Sequence, residues 1–146
     1  MKTLPIVWQR LVNAQGGTCP RCHSTGEEVQ RAVASLRQVL APLGVEPQLQ
    51  TQEIDEATFL QDTLQSNQIL INGQPIEHWL GGQTGSSPCC NECGDNECRT
   101  IEVGGQRYET IPQDLLVRAG VIAAARMLEA APPNAADACC SGGSCC

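Results

Sequence analysis

The apolar positions of this chain change period along its length, and each change marks an element. From Pro5 to Val12 the apolar residues Ile6, Val7, Leu11 and Val12 read as a first strand, and Gly16-Gly17-Thr18 ends it. A helix follows from about Pro20 or Thr25, because Val29, Ala32, Val33, Leu36, Val39, Leu40 and Leu43 form a stripe at helical spacing. Glu27 and Glu28 are expected near its start, where negative charge suits the helix dipole, and Gly44 is placed to cap its end. Val45 to Ile54 alternates loosely and reads as a second strand. Asp55 is a good N-cap for a short helix carrying Phe59, Leu60 and Leu64. Asn72-Gly73 then falls between the apolar runs Ile69-Leu70-Ile71 and Pro75-Ile76, the strongest short signal for a β-hairpin.

The second half is less regular. Gly81 to Pro88 is rich in Gly and Ser and reads as a loop leading into a cluster of cysteines. Ile101 and Val103, then Gly104-Gly105, then Tyr108, predict a second hairpin between Arg99 and Thr110. Thr110-Ile111-Pro112-Gln113 resembles a capping box. The helix it opens runs from Pro112 to about Ala130 and buries Leu115, Leu116, Ala119, Ile122, Ala123 and Met127, with Pro132-Pro133 as its stop. The order is β-α-β-α-β-β, a cysteine-rich insertion over about 81–99, an extra hairpin and a C-terminal helix. This is an α/β chain. Residues 1–130 are expected to form one domain and 131–146 a flexible tail.

Charge narrows the partners. The net charge is −7 over 146 residues. Phosphate binding needs clustered Lys and Arg, so neither nucleic acid nor an anionic membrane surface is expected as a partner. No apolar stretch approaches the roughly 20 residues of a membrane span, and the start lacks the pattern of an export signal. The expected location is the cytoplasm.

That location governs how the ten cysteines are read. In a reducing compartment they point to metal or redox chemistry rather than to a disulfide framework. They are also clustered, as Cys19/Cys22, Cys89/Cys90/Cys93/Cys98, Cys139/Cys140 and Cys145/Cys146. Cys19-Pro20-Arg21-Cys22 stands between a strand and a long amphipathic helix. A helix start presents unpaired N–H groups and partial positive charge, which favour a thiolate, and Arg21 and His23 add to it. Cys19 and Cys22 are therefore the candidate catalytic pair, Cys19 as the exposed attacking thiol and Cys22 as the resolving one. The same spacing serves as half of a zinc knuckle, and with His23 it matches the c-type haem attachment pattern, which would need export.

The strand–CPRC–helix junction, the βαβ order and the segment Ser66-Asn67-Gln68-Ile69-Leu70-Ile71-Asn72-Gly73 resemble the thioredoxin superfamily. With Cys89-Cys90-Asn91-Glu92-Cys93 and Cys98-Arg99-Thr100, the chain resembles an uncharacterised thioredoxin-like domain family, over about residues 3 to 128. The resemblance implies a thioredoxin-like core with a redox pair at Cys19 and Cys22. It also places Ser66-Asn67 where thioredoxins carry a cis-proline that shapes substrate binding and shields the thiols from metals. This chain has no proline there, which weakens the general-reductase reading and favours metal capture.

Cys89, Cys90, Cys93 and Cys98 have the donors for an all-thiolate zinc site, or for two or three ligands to a softer ion such as Hg(II), As(III) or Cu(I). An iron–sulfur cluster is less favoured. Cys139, Cys140, Cys145 and Cys146, spaced by Ser and Gly, suit a mobile arm that captures a thiophilic ion. His78 reads as an ordinary surface histidine. Two functions stand open. One is thiol–disulfide exchange with a partner protein or small thiol, which needs no cofactor. The other is non-catalytic binding of zinc or of a soft thiophilic ion such as mercury or arsenic. In either case the Cys19/Cys22 pair and at least one thiol of Cys89–Cys98 are expected close together, the Gly81–Pro88 loop carrying the second cluster to the first.

Overall fold

The computed structural model describes residues 1–13, 16–88 and 96–129. Strand β1 (Lys2–Leu11) leads to helix α1 (Pro20–Leu40), a 3-10 turn at Ala41–Leu43 and strand β2 (Val45–Ile54). Helix α2 (Glu56–Gln61) and a second 3-10 turn at Thr63–Gln65 precede strand β3 (Gln68–Ile71) and strand β4 (Gln74–Pro75). Helix α3 (Ile76–Leu80), strands β5 (Gln83–Pro88), β6 (Glu97–Val103) and β7 (Gln106–Tyr108), and helix α4 (Gln113–Glu129) complete the chain.

The first sheet has the order β2-β1-β3-β4. β1 and β2 are parallel from Lys2↔Val45 to Leu11↔Ile54, with α1 as the crossover that a parallel pair requires. β3 runs antiparallel to β1, Ile6 opposite Ile71, and turns into β4. Asn72 (φ 51°) and Gly73 (φ 81°) take the left-handed conformation that a two-residue hairpin turn needs. This mixed α/β architecture, with its second sheet and C-terminal helix, is consistent with a thioredoxin-like fold.

The core lies between the first sheet and the pair α1 and α4. Along β1, Leu4, Ile6 and Trp8 are buried while Pro5 between them is exposed and Val7 half-buried, the period-two pattern of a half-covered strand. Val29, Ala32, Val33, Leu36 and Leu40 of α1 are buried against that face, and Leu115, Leu116, Ala119, Ala123 and Ala124 of α4 complete the layer. Gly26 lets α1 approach the sheet, since a Cβ there would lie 2.4 Å from Cη2 of Trp8.

Several sequence expectations hold in detail. The Asp55 side chain accepts a 2.8 Å hydrogen bond from the Thr58 amide and caps α2. Gly44, left-handed at φ 71°, ends the turn after α1. The Ile101–Tyr108 hairpin forms as β6 and β7.

Three expectations are corrected. The Gly81–Pro88 segment is not a loop: β5 pairs antiparallel with β6 from Gln83↔Glu102 to Pro88↔Glu97. Gly and Ser have little strand propensity of their own, and the partner strand supplies what they lack. The capping box at Thr110 is replaced by a tertiary cap, because the Gln113 amide donates to Glu28 Oε2 at 2.8 Å. Glu28 therefore serves the start of α4. The first turn of α1 holds no acidic residue, since that helix already begins at Pro20. The expected tail and the proline stop at Pro132-Pro133 lie outside the described residues.

A buried ion pair ties the second sheet to helix α3. Arg99 Nη2 on β6 lies 2.7 Å from Glu77 Oε2 on α3, with side chains only 9% and 6% exposed. Arg99 Nη1 donates to the Leu64 carbonyl at 2.9 Å, and Thr84 Oγ1 donates to Glu77 Oε2 at 2.8 Å.

Candidate functional site

Helix α1 begins in the Cys19–Cys22 motif itself. Cys19 is the N-cap in extended conformation, Pro20 takes the first helical position where its missing N–H costs nothing, and the His23 amide makes the opening bond to the Cys19 carbonyl at 2.9 Å. The preceding chain is tied down as well, since Thr18 Oγ1 donates to the Leu11 carbonyl at 2.8 Å. The pair thus sits at the end of β1, on a helix start with no side-chain cap. Both cysteines carry thiols rather than a disulfide.

The exposure expected of Cys19 is corrected here. It is 5% exposed and Cys22 is 1% exposed. Both belong to the buried apolar cluster of the protein, to which the return of the chain through β5 and β6 contributes Cys98 and Ile101.

Polar contacts set the chemistry of Cys22. Its thiol is lowered from the ordinary 9.0 to about 7, first by the hydrogen bond with Cys19. Burial opposes this, and the Ser66 hydroxyl, the Leu11 backbone and the Thr18 hydroxyl add to the lowering. The Ser66 contact measures 3.4 Å between Sγ and Oγ, and Ser66 is fully buried. A hydroxyl that donates to sulfur stabilises the thiolate over the thiol. Cys22 is thus a thiol whose ionised form its surroundings support.

Ser66-Asn67 lies beside the pair, with Ser66 Oγ against Cys22 Sγ. Asn67 is left-handed at φ 61° and buried, and its Nδ2 donates to the Glu109 carbonyl at 3.1 Å. Ser66 thus places a hydroxyl against the Cys22 sulfur.

The Arg21 guanidinium is engaged by other groups. Its Nη2 donates to the Pro88 carbonyl at 2.9 Å and lies 3.3 Å from Glu109 Oε1. The side chain is 9% exposed. Glu109 Oε1 also accepts from Ser87 Oγ at 2.9 Å. The expected contribution of His23 is turned outward, since its Nε2 lies 3.1 Å from Glu27 Oε1 with 68% of the side chain exposed. His78 is exposed and packs edge-on against Trp79 at 5.1 Å between ring centroids.

Cys98 lies on β6 opposite Ser87, is 1% exposed, and is disulfide-bonded. Cys89, Cys90 and Cys93, and the tail cysteines Cys139, Cys140, Cys145 and Cys146, lie outside the described residues. Among the described residues no group of three or more His, Cys, Asp or Glu is arranged to hold a metal ion. Cys19 and Cys22 supply two sulfur donors. Among the described residues no helix is long and apolar enough to cross a membrane.

Sequence reasoning missed Glu109 and Thr18 and noted Ser66 only for what it is not. Glu109 had no local signal, because its partners Arg21 and Ser87 are far from it along the chain. Ser66 had one, since a polar residue at the position facing a CxxC pair is itself a candidate thiol partner.

A protein of Archaeoglobus fulgidus, described as uncharacterised, is 42% identical over 113 residues, which cover 77% of this chain and 82% of that protein. No solved structure matches the chain. Residues 4–120, which carry β1, the cysteine pair, the first sheet, the β5–β7 sheet and the start of α4, match the family described as domain of unknown function DUF2703, and the chain belongs to that family.

Proposed function

We propose that this protein is a thiol–disulfide exchange protein whose centre is the Cys19/Cys22 pair. The supporting observation is the Cys22 sulfur, buried at the start of α1 and hydrogen-bonded by Cys19 and by Ser66 Oγ at 3.4 Å. Those contacts hold a thiolate near neutral pH, and the thiolate is the nucleophile of disulfide exchange. Cys22 attacks a disulfide and forms a mixed disulfide. Cys19, two residues away in the chain, then displaces the departing thiol and leaves Cys19–Cys22 oxidised. The partner is a disulfide-bearing protein or a small thiol in its oxidised form, and no cofactor is required. Reduction of a small aromatic disulfide by the full chain, followed by absorbance, tests this reading. Wild type should react, and Cys22→Ser should lose most of the rate; equal rates in the two would refute it.

A second reading rests on Ser66. With a hydroxyl rather than a proline ring against Cys22, the pair lacks the element that shields thioredoxin thiols from metals. Two neighbouring thiolates match a soft ion such as Hg(II) or As(III), for which sulfur is the preferred donor. The remaining cysteines, Cys89, Cys90, Cys93, Cys98, Cys139, Cys140, Cys145 and Cys146, would enlarge that capacity. Metal analysis of anaerobically purified protein before and after arsenite or mercury challenge separates this from a structural zinc site. A soft ion retained by wild type and lost in Cys19→Ser supports it. One zinc per chain, unchanged by challenge, contradicts it.

A further inference from the structure

The segment that brings Ser66 to Cys22 is held from outside more firmly than by its own backbone. Ser66 and Asn67 are neither helix nor strand: they leave the 3-10 turn Thr63–Gln65 and reach β3 only at Gln68, with Asn67 left-handed at φ 61°. The backbone bonds that close the turn are long, 3.2 Å from the Gln65 amide to the Asp62 carbonyl and 3.4 Å from the Ser66 amide to the Thr63 carbonyl. An ordinary backbone bond is about 2.9 Å. Shorter bonds arrive from distant elements. Gln9 on β1 donates from Nε2 to the Gln65 carbonyl at 2.9 Å. Arg99 on β6 donates from Nη1 to the Leu64 carbonyl at 2.9 Å. The two carbonyls in front of Ser66 are thus gripped by one residue from each sheet. Arg99 serves two partners at once because its guanidinium is a fork of donors: Nη2 meets Glu77 Oε2 at 2.7 Å and Nη1 is left for Leu64. Beyond the grip, the fully buried Ser66 sets its hydroxyl 3.4 Å from Cys22 Sγ. A hydrogen bond weakens steeply with misalignment, so the position of this backbone decides whether the contact is made.

We propose that Gln9 and Arg99 are positioning residues for Cys22, clamping the Gln65 and Leu64 carbonyls so that the Ser66 hydroxyl stays against the Cys22 sulfur. This rests on the thiol-exchange reading above and deepens it, since it names what holds the reactive sulfur ready. Neither residue touches a reacting atom; both act through Ser66. Cys19 is the titratable group whose contact acts on Cys22. The charged side chains on the connecting elements are paired, Arg21 with Glu109 at 3.3 Å and Arg99 with Glu77 at 2.7 Å. The route from the clamp to the sulfur is therefore the Ser66 hydroxyl and not a free charge.

The test follows the Cβ chemical shift of Cys22 against pH in the full chain carrying isotope-labelled cysteine, the signal being assigned by its absence in Cys22→Ser. Gln9→Met keeps the length of the side chain but donates nothing. It should move the Cys22 midpoint upward, by no more than Ser66→Ala moves it. Glu77→Leu combined with Arg99→Met frees the Leu64 carbonyl without leaving a buried charge alone, and it should shift the midpoint in the same direction. Neither change should move the midpoint further in a chain that already carries Ser66→Ala, a dependence that a loss of stability alone would not produce. A midpoint at or below that of wild type in either variant, or a shift of the same size with and without Ser66, overturns the clamp. Reduction of an aromatic disulfide by the same samples keeps the two readings apart. Shifted midpoints with slower reduction support both. Shifted midpoints in a protein whose wild type reduces no disulfide support the clamp and overturn the exchange reading.

Discussion

Ser66 Oγ and Cys22 Sγ lie 3.4 Å apart inside the protein, 44 residues apart in sequence, and both are almost fully shielded from solvent. The pair joins the segment before β3 to the start of α1. It is the point at which the fold acts on the chemistry of a thiol. Replacing Ser66 by Ala removes one charge-assisted hydrogen bond to the sulfur. The Cys22 titration midpoint should move upward by about one unit, on the usual strength of such a bond. Absorbance of the thiolate near 240 nm against pH checks this, with Ser66→Thr expected to restore most of the effect.

The pH dependence of stability has a defined sign. The Cys22 thiol is depressed from 9.0 to about 7 in the folded protein. The unfolded chain therefore binds the proton more tightly, and the stabilisation is fully present above about 9 and is lost as pH falls through about 7. Its size is on the order of 2–3 kcal/mol at most. Denaturant unfolding of reduced wild type minus that of reduced Cys22→Ser should rise between pH 7 and pH 9. A flat difference would contradict the assignment.

The ion pair between Arg99 and Glu77 makes a separate prediction. Both side chains are buried, so replacing either by a neutral residue leaves its partner charged in the interior. Glu77→Leu or Arg99→Met should each cost about 3–5 kcal/mol, whereas the double variant should cost much less, because no charge is left alone. A double-mutant cycle by urea denaturation measures the coupling.

Gly26 sets the distance between α1 and β1. A Cβ at that position would stand 2.4 Å from Cη2 of Trp8, a rigid ring that cannot yield as a flexible chain would. Gly26→Ala should destabilise the protein by about 1–3 kcal/mol despite the better helix propensity of alanine. It should also alter the Trp8 fluorescence. A gain in thermal stability would show that α1 has room to retreat.

Much of the fold was legible because its signals are local. Val29 to Leu40 spell a helix by spacing alone, Asn72-Gly73 spells a turn by conformation, and Asp55 caps the helix that follows it. Cys19 and Cys22 were legible as a candidate site because the CxxC motif stands between a strand and a helix. What escaped depends on residues distant in sequence. β5 is a strand because β6 lies beside it, which no reading of Gln83–Pro88 reveals. The start of α4 is capped by Glu28, 85 residues earlier, and not by the Thr110 that its own sequence offers. The expected exposure of Cys19 came from the motif alone, while its burial comes from packing into the common core.

The central claim is that Cys19 and Cys22 interconvert between dithiol and disulfide. The most direct measurement is a redox titration of the full chain against defined ratios of reduced to oxidised dithiothreitol at pH 7. Quenched samples are alkylated, and the peptides Leu11–Arg21 and Cys22–Arg31 are read by mass spectrometry. The account predicts that the two peptides become linked together in a single two-electron transition, and that the link disappears in Cys19→Ser. Cys19 and Cys22 remaining unlinked and fully alkylated across the whole range would contradict it.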